Sequence, residues 1–189
     1  MKSTQKYLCG NKHRSINRMM DKNKFVIGSF NVANTLNRHF INKPKNIVKE
    51  LVDTKIDPMK FYEKNVKKMN NTFYLKPINM SDMRRAMSDI NKSTSFDMYG
   101  LSMKMLYNVR KSIEPILLNI VNLCIYNSIF PDILKVSKII PIPKGTDFLN
   151  PDNFRAINIC NPIAKLIEKC WASQMANYLL DNDLITENQ

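Results

Sequence analysis

The chain has 189 residues, of which 44% are hydrophobic, enough for the core of one ordinary domain or two small ones and too much for wholesale disorder. Its four glycines fall in no phosphate-cradling pattern, and no apolar run approaches the ~18 residues that a membrane span needs. The formal charge of +13 is uneven: residues 1–70 carry 16 Lys/Arg against 5 Asp/Glu, while residues 71–189 carry 13 against 11. Such asymmetry points to a basic arm that meets a polyanion, and nucleic acid is the usual one.

In chain order, residues 1–28 are polar, basic and weakly periodic, and are expected to be poorly ordered. They lack the apolar core of a signal peptide, so the expected location is intracellular, nuclear or cytoplasmic, and not secreted. A helix is predicted after Ser29, an N-cap type, with Val32, Leu36 and Phe40 on one face and Pro44 as its stop. Residues 45–71 read as an irregular linker with a short helix after Pro58, so that 29–71 forms a helix-plus-linker segment. Phe73-Tyr74-Leu75 has strand character.

Ser81 is the expected cap of a helix carrying Met83, Met87 and Ile90. The polar loop NKSTSFDMYG follows, then a short helix with Leu101, Met105, Leu106 and Val109. The most apolar helix is expected over 112–129, where Ile113, Ile116, Leu117, Ile120, Val121, Cys124 and Ile125 form a stripe for burial. Val136 to Ile142 reads as a strand, placed at an edge by Pro141 and Pro143. FRAINI is a second strand, and Asn161-Pro162 opens a long helix with the cap and N1 residues in favoured positions. The fold class expected is α+β, mostly helical, with one small antiparallel β-ribbon.

The four cysteines show no metal-ligand spacing, and with two histidines a hydrolytic triad is improbable. Two cations stand out instead. Lys144 follows the first strand and Arg155 begins the second, so a short-looped ribbon would bring both within reach of one anion. A guanidinium supplies forked donors and an ammonium a point charge, a pair suited to a triphosphate. The alternative is that both are ordinary solvated charges at strand ends.

Several segments, in order, resemble one family. DMRRAMSDINKSTSFDMYGLSMKML is similar to a helix, a Lys-Ser loop, then Asp and Gly before a helix. ILLNIVNLCIYNSIFPDILKVSKIIPIPKG is similar to a helix ended by aromatic-Pro, then a strand and Pro-Ile-x-Lys. NFRAINICNPIAKLIEKCWASQMANYL resembles a Tyr-Arg-Pro-Ile strand and a Lys-x-x-Glu helix. Together with VANTLNRHF and LITENQ, these resemble the N-terminal and fingers region of reverse transcriptases from jockey-like non-LTR retrotransposons, over residues 72–189.

The resemblance implies a fingers subdomain for RNA-directed DNA synthesis, with an RNA template and DNA as partners. It assigns Lys144 and Arg155 to the triphosphate of an incoming deoxynucleoside triphosphate, and Lys165 and Glu168 to a template-side or structural role. Phe154 stands where the family has Tyr, Ala156 where it has Pro, and Asp97-Met98-Tyr99-Gly100 spaces Asp and Gly more widely. Mg²⁺ serves the parent enzyme, held by palm carboxylates. No aromatic-x-Asp-Asp occurs here, and Asp181-Asn182-Asp183 reads as a solvated helix end. The expectation is therefore a truncated fragment without its palm domain, binding no metal and not polymerase-competent alone. Two other readings stay open: a non-catalytic basic nucleic-acid-binding protein derived from such an element, and a helical interaction module.

Overall fold

The computed structural model describes residues 16–51, 56–65 and 72–185. Cys9, His13 and the end of LITENQ lie outside them. The elements are β1 (Arg18–Asp21), β2 (Lys24–Ile27), α1 (Ser29–Glu50), α2 (Pro58–Asn65), α3 (Met80–Asp89), α4 (Met103–Tyr126), β3 (Lys138–Pro143), β4 (Phe154–Ile159) and α5 (Pro162–Asp181). The architecture is α+β and mostly helical, with two small antiparallel strand pairs, β1–β2 and β3–β4. No helix among the described residues is long and apolar enough to cross a membrane.

Two compact units divide the chain. The first joins the described residues up to 65 with 139–157, so the ribbon segment returns to the N-terminal part of the sequence. Residues 16–28, expected to be poorly ordered, instead carry the β1–β2 hairpin. Its two-residue loop, Lys22–Asn23, has positive φ at both positions, as the turn matching strand twist requires. The hairpin is fixed by burial as well. Met19 is fully buried beside Val32 and Leu36 of α1 and Phe154 of β4. Gly28, not Ser29, is the N-cap of α1, and its φ of 95° suits glycine. The helix does not stop at Pro44 but runs on to Glu50. Pro44 is exposed, so the single missing hydrogen bond falls on the solvent side, where it is least costly.

The second unit comprises 72–138 and 158–185 among the described residues. Its core is a three-helix cluster. Met83, Ala86 and Met87 of α3 meet Leu106, Leu117, Val121 and Cys124 of α4 and Leu166, Ile167 and Cys170 of α5. Asn79, rather than Ser81, caps α3 by accepting from the Asp82 N–H at 2.9 Å. The two helices expected across 101–129 are one, capped by Ser102 and continuous through Pro115. Ile116 is 61% exposed, so the expected stripe is buried only along the side facing α3 and α5. Helix α4 ends with Ser128 in the left-handed region and the Ile129 N–H on the Cys124 carbonyl, a Schellman cap.

Phe73-Tyr74-Leu75 forms no strand. The extended chain leading to α3 is gripped instead by side-chain amides. Asn122 of α4 accepts from Ile78 N–H at 2.7 Å and donates to its carbonyl at 3.0 Å. Gln174 of α5 does the same for Lys76, at 2.8 and 2.7 Å. Two amides thus satisfy alternate backbone groups that a neighbouring strand would otherwise pair.

Candidate functional site

The ribbon sets the geometry of the two predicted cations. The Lys144 N–H donates to the Asn153 carbonyl at 2.7 Å, just beyond the last strand residues Pro143 and Phe154. In an antiparallel pair that bond places Ile142 opposite Arg155, so Lys144 lies one diagonal step from Arg155 on the same face. Diagonal positions are about 7–8 Å apart, a gap that two long side chains can close on one ligand. Side-chain alternation sends Phe154 to the opposite face, where it is 3% exposed in the core of its unit. Burial of Phe154 therefore fixes Arg155 outward.

The loop between the strands is stiffened by its own polar side chains. Asn150 accepts from the Asp152 N–H, and Asp147 accepts from the Leu149 N–H and the Asn153 side-chain amide. Lys144 Nζ donates to the Asp152 carbonyl at 2.8 Å and is in no ion pair among the described residues, although its charge still acts on the Asp152 carboxylate. The Asp152 carboxylate faces elsewhere. It takes Lys43 Nζ at 2.6 Å and has His39 Nε2 at 3.5 Å. The Lys43 hydrogen bond, with the nearby charges of Lys43, His39 and Lys144, holds this carboxyl below its ordinary value. Arg155 is exposed, and its guanidinium makes no hydrogen bond or ion pair among the described residues.

Lys165 and Glu168 lie on α5, in the other unit. Lys165 is half-buried and Glu168 exposed, and neither side chain has a polar partner among the described residues. The neighbouring Lys169 meets Asp89 at 3.8 Å. Asp181-Asn182-Asp183 ends α5, with Asp183 in the left-handed region and Leu184 N–H on the Leu179 carbonyl. It is a Schellman cap.

Sequence reasoning missed the pairing of Asp97 with Asn161. Asp97 Oδ1 accepts from the N–H groups of Tyr99 and Leu101, both at 2.9 Å, and Gly100 between them has φ 79°. Its Oδ2 accepts from Asn161 Nδ2 at 2.8 Å, while Asn161 Oδ1 caps α5 through the Ile163 N–H. The Asp-to-Gly spacing is what lets one carboxylate close this turn and hold the start of α5. The readable signal was an Asp three residues before a Gly in a loop, a turn pattern in its own right.

No family model and no curated protein matches the chain. Among the described residues no group of three or more His, Cys, Asp or Glu side chains is placed to hold a metal ion.

Proposed function

We propose that the β3–β4 ribbon binds the triphosphate of an incoming deoxynucleoside triphosphate through Lys144 and Arg155, as the fingers region of a jockey-like non-LTR retrotransposon reverse transcriptase. The observation that carries this reading is the placement of both cations on one exposed ribbon face, neither in an ion pair among the described residues. The guanidinium fork takes two phosphate oxygens and the ammonium a third. The stiff loop keeps Lys144 near its working position, which lowers the ordering cost of binding. An RNA template and its DNA copy would be the polymer partners, with Lys165 and Glu168 in a template-side or structural role. The carboxylates that perform the transfer belong to a palm domain.

Titration of a fluorescent deoxynucleoside triphosphate into the whole chain tests this. Arg155→Ala should weaken binding about tenfold, the worth of one charge-assisted contact. Lys135→Ala, which removes an exposed cation already paired with Asp132, should not. Equal affinity of wild type and Arg155→Ala would sink the assignment.

A second reading, non-catalytic binding of a nucleic-acid backbone, is favoured by one observation. Arg18, Lys22, Lys24, Lys45 and Lys49 are exposed and lack ion-pair partners among the described residues. It requires affinity for a single strand that falls steeply with salt and ignores Arg155→Ala.

A further inference from the structure

Helices α3 and α4 border an open cleft of about 530 Å³, within a single unit and apart from the ribbon residues. Its floor holds a buried carboxylate, Glu114, which is 6% exposed. Arg84 reaches it from α3, with Nε at 2.9 Å and Nη2 at 2.8 Å from the same oxygen, Oε2. That pair is neutral as a unit.

Three nearby cations have no carboxylate partner among the described residues: Arg110 and Lys111, which line the cleft, and Lys92, which lies beside it on the Tyr107 ring. Two of them converge on one aromatic ring. The Arg110 guanidinium lies 3.9 Å from the Tyr107 ring centroid and donates through Nη1 to the Tyr107 carbonyl at 2.8 Å. Lys92 Nζ lies 4.4 Å from the same centroid. Cation–π attraction fixes each charge. Gathering like charges around a partly shielded ring also raises their mutual repulsion, which an anion would relieve.

We propose that this cleft is a binding site for a phosphate group. Arg110 has spent one nitrogen on the Tyr107 carbonyl and keeps Nε and Nη2 for phosphate oxygens, while Lys111 supplies a point charge from the cleft lining. The tetrahedral oxygens of a phosphate accept from several directions at once, matching the successive cations Arg110 and Lys111 that line the cleft from α4. The Arg84–Glu114 pair anchors the floor without adding net charge. The site does not depend on the reading of Lys144 and Arg155, since it shares no residue with them.

The phosphate could belong to a nucleic-acid strand or be free in solution. Two titrations of the whole chain separate these sources: inorganic phosphate by calorimetry, and a labelled single-stranded oligonucleotide by anisotropy. Arg110→Gln should weaken the bound source about tenfold. Tyr107→Leu should weaken it too, although the charge is unchanged, because the ring no longer holds Lys92 and Arg110. Tyr107→Phe, which keeps the ring, should retain binding and guards against a folding defect in the leucine variant. If both variants weaken the oligonucleotide and inorganic phosphate competes with it, the source is a strand; if they weaken phosphate binding alone, it is the free anion. Indifference of both ligands to both variants overturns the site. So does an equal loss on Lys135→Ala, an exposed cation outside both sites, since binding would then follow total charge.

Discussion

Removing the Asp97 carboxylate should unlock the loop before α4 and the start of α5 together. Asp97 is 4% exposed and Asn161 5%, and Asp97 accepts three side-chain hydrogen bonds, at 2.9, 2.9 and 2.8 Å. Each bond to a charged acceptor has a net worth of about 1.5–3 kcal/mol. The Tyr99 N–H belongs to an exposed turn residue and can regain water, so the full penalty falls mainly on Asn161 Nδ2. Asp97→Ala should therefore cost about 3–5 kcal/mol, a large share of the roughly 5–15 kcal/mol that holds a typical domain. Asp97→Asn keeps one acceptor but sets a donor against Asn161 Nδ2, which should cost about 1–2 kcal/mol. Asn161→Ala loses both the contact and the cap, about 2–3 kcal/mol. The single tryptophan, Trp171, packs against the core of this unit and reports its unfolding in urea by fluorescence. A double-mutant cycle between the two alanine variants should return about 1–2 kcal/mol of coupling. If the Asp97→Ala midpoint matches wild type, or the two losses simply add, the proposed link between loop and helix is wrong.

Phe154→Ala should destabilise the ribbon-bearing unit by about 3–5 kcal/mol through lost burial and a cavity beside Met19, Val32 and Leu36; proteolysis confined to the other unit would contradict this. Lys43→Ala should raise the Asp152 titration toward its ordinary 3.8, as followed by NMR. Because the folded value is lowered, the contribution of Asp152 is complete above 3.8 and is lost as pH falls through the folded value. Burial, and then the charge of Asp82, push the Cys170 thiol up from 9.0 to about 11. Iodoacetamide at pH 8 should therefore spare Cys170 until urea unfolds the chain, and stability should decline as pH rises from about 9 to about 11. Rapid native labelling of Cys170 would refute that account.

Local order was legible where spacing and burial agree. FRAINI is β4 to the residue, and Asn161-Pro162 begins α5, because a cap and a Pro at N1 act within one turn. The expectation for Lys144 and Arg155 rested on a short-looped ribbon, and the pairing of β3 with β4 supplies that ribbon. Proline was over-read at Pro44, which sits inside α1 on an exposed stretch where one missing hydrogen bond costs little. The β1–β2 hairpin was hidden because Lys22-Asn23 is a weaker turn signal than Asn-Gly, and burial of Met19 supplies what the turn lacks.

The sequence by itself determined the mostly helical α+β class, the β3–β4 ribbon and the concentration of positive charge before residue 70, all of which depend on neighbours a few positions apart. Tertiary structure alone decided that Asn122 and Gln174 complete the backbone of Ile78 and Lys76, that Asn161 answers Asp97, and that Lys92 and Arg110 share the Tyr107 ring. The amide partners lie 44, 98 and 64 residues apart along the chain. No local pattern selects such partners, because a side-chain amide can satisfy any backbone group that folding brings within 3 Å or so of it.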